Sequence, residues 1–177
     1  MGRDEEQRSD EQPSGDEQRR VGLDETPERL KRQLSRLLGM TAAQTRQVAG
    51  DALGAVGAHK DHFVVLAALA EFGPASQATL SGRTRVYKSD LVSVLNDLAD
   101  GGWIRRAADP VDKRRNVITI TEDGERRLAE LDRVLDGVNE QVMAPLGAEE
   151  RTELFALLGR INAHLAGACP SEASHEV

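Results

Sequence analysis

The sequence predicts a mainly α-helical chain with one small β-hairpin, and three observations carry that prediction. Leucine, isoleucine and valine recur at spacings of three and four over most of the length, which is the helical period. Two short helical segments, from Ser76 and from Tyr87, are separated only by Thr84-Arg85-Val86. After Gly101-Gly102 the pattern changes to strand-like runs, Trp103-Ile104 and Val117 to Ile120, on either side of a polar, basic stretch.

Residues 1–26 are rich in Asp, Glu, Gln, Arg, Ser and Gly and almost free of apolar side chains before Val21. Such a segment buries too little surface to offset its ordering entropy and reads as an acidic disordered extension. From Pro27 a long amphipathic helix is expected, with Leu30, Leu34, Leu37, Leu38, Val48 and Leu53 on its apolar side, ending among the small residues of Gly54 to Ala58. A second helix, Asp61 to Phe72, is apolar on most sides and reads as the central core helix, closed by Gly73-Pro74. Ser76 is a natural N-cap for the short helix that follows. The next helix, Tyr87 to Asp100, carries one apolar stripe of Leu91, Val94, Leu95 and Leu98. Helix, tight turn and helix make a helix-turn-helix, and the hairpin after it makes the unit a winged helix-turn-helix over 59–121.

Thr121 can cap a further helix, with Glu122, Asp123 and Glu125 at its positive end. Its Leu128, Leu131, Leu135, Val138 and Val142 repeat three, four, three, four, a seam that expects a helical partner. Pro145-Leu146-Gly147 turns the chain into a last helix, Glu149 to Leu165, with Leu154, Leu157, Leu158, Ile161 and Leu165. A compact winged helix cannot cover these seams, so the segments 27–58 and 122–168 are expected to form a helical dimerisation domain, with Leu30, Leu34, Leu135, Val138, Leu154, Leu158 and Ile161 in a homodimer interface. Residues 169–177 read as a flexible tail.

At 177 residues and 39% hydrophobic content the chain can bury a real core, and a large multidomain enzyme is excluded. Its longest apolar run, Phe63 to Ala70, is far short of the roughly 20 residues a membrane span needs. With no apolar signal segment near the start and a single cysteine, a cytoplasmic location is expected and no membrane partner. Net charge is −7, but the tails carry it: residues 27–170 hold 19 bases and 19 acids, and Arg83 to Arg115 hold eight bases against five acids. A basic patch thus sits inside an acidic protein.

That patch points to double-stranded DNA. In a helix-turn-helix the second helix enters the major groove. Turning its apolar stripe inward, at about 100° per residue, places Ser89, Ser93 and Asn96 outward, where hydroxyls and an amide can meet base edges. Arg85, Tyr87 and Lys88 stand at the turn, with the two cations placed for phosphates. Between the two strands, Asp109-Pro110-Val111-Asp112-Lys113-Arg114-Arg115 offers three consecutive cations for a neighbouring minor groove, and Asp112 can brace Arg114 through a bidentate pair. A winged-helix adaptor that binds protein instead of DNA is the alternative, and it has no need of Lys113, Arg114 and Arg115. No catalytic constellation is recognisable, so an enzyme is not expected. Nor is a cofactor or a metal site: His59 and His62 lie one turn apart without a third ligand in sequence reach, and Cys169 reads as a free, incidental thiol.

The stretch from about Leu66 to Gly124 resembles the multiple-antibiotic-resistance regulator (MarR) family of bacterial transcription factors. The resemblance rests on Leu80 to Ile104, on DPVDKRR at 109–115 and on ITEDG at 120–124. It implies a winged-helix homodimeric regulator, with Arg114 as the minor-groove arginine, Asp112 as its brace, and Ser89 and Ser93 on the recognition helix. A repressor, or alternatively an activator, acting on a pseudo-palindromic operator is expected, and the resemblance implies modulation by a small aromatic or phenolic effector. The chain departs from many members in having Ser93 and Asn96 where they carry arginine and aspartate, and in its long acidic extension.

Overall fold

A computed structural model describes residues 27–108 and 116–168. The acidic extension, the cations of 109–115 and the tail with Cys169 lie outside the described residues. The described chain runs α1 (Glu28–Lys31), α2 (Leu34–Ala55), α3 (Lys60–Phe72), β1 (Ala75–Ser76), α4 (Gln77–Thr84), α5 (Lys88–Asp100), β2 (Ile104–Ala108), β3 (Asn116–Ile120), α6 (Glu122–Val142) and α7 (Ala148–Ala168). It is mostly helical, with one antiparallel sheet in the order β1-β3-β2. It divides into two compact units between Gln44 and Thr45, a division that α2 runs through.

In the first unit, the long helix expected from Pro27 is interrupted. After one turn, closed by a 2.8 Å ion pair between Lys31 and Glu28, the Arg32 and Gln33 N–H groups turn back to the Leu30 carbonyl, and α2 begins only at Leu34. No glycine or proline marks the break, so the leucine period alone could not show it. Leu30, Leu34, Leu37 and Leu38 are exposed in the single chain. Leu30, Leu37 and Met40 line an apolar hollow there.

The second unit is organised around α3. Its Val65, Leu66, Ala68 and Leu69 are buried, and α4, α5, α6 and β3 all pack against it. Leu53, Leu80, Leu91, Leu95, Leu98, Ile104, Ile118 and Leu131 complete the same core. The chain passes from α2 to α3 through a Schellman closure: Ala58 N–H donates to Leu53 O at 2.9 Å and Gly57 N–H to Gly54 O at 3.0 Å. The closure needs a positive φ at its penultimate residue, and Gly57, at φ 67°, supplies it without a Cβ penalty.

The winged unit follows the expected order. Ser76 caps α4, its Oγ accepting from Thr79 N–H at 3.2 Å, and Tyr87 stands at the N-cap of α5. The hairpin pairs Ile104 with Ile120 and Ala108 with Asn116. β1 adds a third strand, pairing Ala75 with Ile118. Two residues are too few to show alternation, so this strand has no signature of its own in the sequence.

Where the sheet passes into α6, Thr121 ties three segments together. Its N–H donates to Trp103 O at 3.0 Å, its Oγ1 donates to Gly102 O at 2.8 Å, and the same oxygen accepts from Gly124 N–H at 3.0 Å. The helix start lies so close to the strand that a Cβ on Gly124 would stand 2.0 Å from the Trp103 carbonyl oxygen. Backbone, not a flexible side-chain end, is in the way. Gly124→Ala should therefore cost about 1–3 kcal/mol of stability, as overpacking does; urea unfolding with an unchanged slope and a lowered midpoint is the expected result.

Candidate nucleic-acid interface

The turn between α4 and α5 is built by local hydrogen bonds. Ser81 Oγ donates to Val86 O at 2.8 Å, Thr84 Oγ1 donates to Leu80 O at 2.7 Å, and Arg85 N–H donates to Ser81 O at 3.0 Å. This clasp holds Arg85 in the left-handed region at φ 56°, among the described residues the one non-glycine there. Buried Val86 anchors the turn, and the Arg85 and Lys88 side chains are left exposed.

On α5 the apolar stripe is buried as expected: Leu91, Val94, Leu95 and Leu98 all face the core. Ser89, Ser93 and Asn96 are exposed on the opposite side, and Tyr87, 79% exposed, stands at its N-terminal end. Tyr87 makes no side-chain cap, so the first amides of α5 have no side-chain acceptor there. Arg85, Tyr87, Lys88 and Ser89, with Ser81 and Val86, line a shallow hollow at this end.

Some polar capacity on this face is already used. Ser89 Oγ donates to Asp90 Oδ1 at 2.9 Å, which leaves its oxygen as an acceptor. Arg106, on β2, donates from Nη2 to Asn96 Oδ1 at 2.8 Å, so the Asn96 amide nitrogen remains as a donor. Sequence reasoning missed two residues here. Val92 is 47% exposed and flanks Ser89 and Asn96 on the outer side of the helix, signalled in the sequence by being an apolar residue off the stripe. Arg106 counted toward the basic patch, but only strand pairing places it beside Asn96.

The helical seams divide differently from the expectation. Leu131 of α6 belongs to the core of its own chain, with Leu128, Val134 and Leu135 packed against it. Val138 is 4% exposed in the single chain, so its own chain already covers it and it offers little to a partner. Much of the apolar partner of the α6 seam is α3 of its own chain. The last helix differs: none of its residues with described burial is fully buried, Leu154, Leu158 and Ile161 are half-buried, and Phe155, Leu157 and Leu165 are exposed.

At the opposite end of α5 from the turn, Asp97 approaches the start of α3. His62 is buried, yet neither ring nitrogen has a hydrogen-bond partner. Its Nε2 lies 3.6 Å from Asp97 Oδ2, too far for a hydrogen bond. Burial, and then the neighbouring His59, hold the His62 pKa below the usual histidine value, against the opposing pull of Asp97.

The sequence profile of the MarR family matches residues 56–115. Over 101 residues the chain is 34% identical to the transcriptional regulator HosA of Escherichia coli O111:H-, across 57% of this chain and 74% of HosA. The chain belongs to the MarR family. It is also 28% identical over 144 residues to the HTH-type transcriptional repressor NicR of Pseudomonas putida, covering 78% of this chain and 88% of NicR. A crystal structure of a probable transcriptional regulator from Pseudomonas aeruginosa superposes with a TM-score of 0.65 at 28% identity, over 75% of this chain and 98% of that one. This MarR-family chain is thus a DNA-binding transcriptional regulator of the winged-helix type and not an enzyme. None of its described helices is long and apolar enough to cross a membrane.

In this MarR-family fold the left-handed backbone at Arg85 separates two roles of one residue. Glycine adopts that conformation freely, while an L side chain there costs roughly 1–2 kcal/mol, offset in part by the entropy glycine loses on folding. Arg85→Gly should leave stability unchanged or raise it by up to about 1 kcal/mol, read as Tm by calorimetry. Any loss of DNA affinity in that variant then belongs to the missing guanidinium.

Proposed function

We propose that this regulator represses transcription by binding a pseudo-palindromic operator as a homodimer, with α5 of each copy in successive major grooves about one helical turn apart. The observation that carries the proposal is the outer face of α5, where Ser89, Ser93 and Asn96 stand exposed between the Arg85–Lys88 turn and the guanidinium of Arg106. Ser89, Ser93 and Asn96 meet base edges, with Val92 beside them suited to a thymine methyl. Arg85, Tyr87 and Lys88 engage phosphates, as do the first amides of α5, whose position at a helix N-terminus favours an anion. In the sequence between β2 and β3, Lys113, Arg114 and Arg115 supply the minor-groove cations, with Arg114 inserted and Asp112 its brace. A small aromatic or phenolic effector that alters the spacing of the two winged units would release the operator.

Fluorescence anisotropy on the DNA upstream of its own gene, against scrambled DNA at two salt concentrations, tests the reading. A preference of about a thousandfold with a steep salt dependence is expected. Arg114→Ala should weaken specific binding by about 1–3 kcal/mol. Equal, feeble binding to both DNAs at low salt would favour a protein-binding adaptor.

The dimer draws support from apolar surface the single chain leaves uncovered: Leu30, Leu34, Leu37 and Leu38 in the first unit, and Phe155, Leu157 and Leu165 on α7. Of the residues expected in the interface, Leu30 and Leu34 are exposed and Leu154, Leu158 and Ile161 half-buried in the single chain, which supports the reading, while Leu135 packs partly against its own core and Val138 is buried within its own chain. Leu157→Asp with Leu165→Asp places charge on a face that is exposed in the monomer but buried in the dimer. Light scattering should show the dimer mass falling to 19.2 kDa with helicity retained; a persistent dimer would remove α7 from the interface.

A further inference from the structure

His59, His62 and Asp97 lie together at the junction of α3 and α5, apart from the proposed DNA-contacting side chains. One ligand atom from each lies within 4.8 Å of the other two. The two imidazoles are tilted 35° with centroids 3.7 Å apart, His59 at the N-cap of α3 and His62 in its first turn. His59 makes no capping hydrogen bond, and Asp97 reaches the pair from the neighbouring helix.

The state of His62 is what requires an explanation. Its residue is 6% exposed and both ring nitrogens are without a partner, whereas buried polar groups are as a rule hydrogen-bonded. A structural core histidine would have found a carbonyl or a hydroxyl. Here the nearest opposite charge is Asp97, and the 3.6 Å between Nε2 and Oδ2 is close to the edge of a tetrahedron whose metal–ligand arms are about 2.0–2.2 Å. The Trp103 ring, 6.4 Å from His62 and edge-on, walls the inner side, and the Arg127 guanidinium lies on that tryptophan 4.9 Å from its centroid. His59 and Asp97 form the open side.

We propose that His59, His62 and Asp97 bind one divalent transition-metal ion of the zinc class. Two imidazole nitrogens and a single carboxylate oxygen suit zinc, and do not suit magnesium or calcium, which take mostly oxygen ligands. Three protein ligands leave a fourth position for water. The ion would tie the start of the core helix to the helix bearing Ser93 and Asn96, one residue before Asp97. The site stands or falls independently of the operator reading, since its test measures metal and not DNA.

Full-length protein, stripped with EDTA and desalted, would be titrated with Co2+, followed by its visible d–d absorption, and with Zn2+ by calorimetry. One equivalent per chain with tetrahedral cobalt bands is expected. Second-shell changes at metal sites cost about 10- to 100-fold in affinity. Removing a ligand by His59→Ala or Asp97→Asn should cost at least about tenfold. Both side chains are exposed, so the fold is expected to survive, and circular dichroism would verify it. His164→Ala and Cys169→Ser should bind as the wild type does. Absence of stoichiometric binding would overturn the site. So would affinity that is retained in His59→Ala and Asp97→Asn, or lost in His164→Ala or Cys169→Ser.

Discussion

The burial of α3 is the constraint on which the rest of the winged unit depends. A 13-residue helix with Val65, Leu66, Ala68 and Leu69 all buried must be enclosed, and α4, α5, α6 and β3 are the enclosure. Each surrounding helix turns its apolar stripe toward α3 and its polar side away. The outward display of Ser89, Ser93 and Asn96 is therefore a by-product of where Leu91, Val94, Leu95 and Leu98 must go. Changes on the inner face would move the outer one as a rigid body, because close-packed interiors transmit displacement. Changes on the outer face leave the core alone, which is how one fold can carry different recognition chemistry.

Most of this was legible in the sequence, and the failures have physical reasons. Helix existence, the caps Ser76 and Thr121, the tight turn after Thr84 and the strand pair all follow from local patterns, which are strong where period and punctuation agree. The break at Arg32, the strand Ala75–Ser76, the Asn96–Arg106 bond and the approach of Asp97 to His62 do not. The last three depend on residues brought together by packing, with no local pattern to announce them. Val138, buried within its own chain, raises a different point. A heptad-like seam states that a helix wants an apolar partner and is silent on whether that partner lies in the same chain. In α6 much of the partner is α3; α7 leaves its apolar side chains half-buried or exposed.

Charge works against the surface that the fold prepares. The chain carries −7, all of it in its termini, while residues 27–170 balance and the eight bases of Arg83 to Arg115 stand near one another in sequence. At physiological ionic strength a Debye length is about 8 Å, so phosphates at the face of α5 would respond to Arg85, Lys88 and Arg106 far more than to distant acids. In the proposed complex these cations would set affinity. An acidic chain would then weaken indiscriminate attraction to DNA while leaving short-range contacts nearly intact.

The same face also shows why α5 would not act as an isolated reader in the proposed complex. Arg106 holds the Asn96 carbonyl from the hairpin, so the orientation of the amide is set by the strand as well as by the helix. Arginine fixed in this way loses less side-chain freedom when it meets a phosphate, and asparagine fixed in this way offers its N–H2 in a defined direction. Asp97 follows immediately and faces His62 at 3.6 Å, so the turn of α5 that the hairpin holds through Asn96 also lies against the start of α3. In the proposed operator complex, any ligand or ion that altered either neighbour of this turn would act on base readout without touching a base. In a dimer, whose two recognition helices must also match the spacing of their half-sites, a small rotation of that turn would be felt twice.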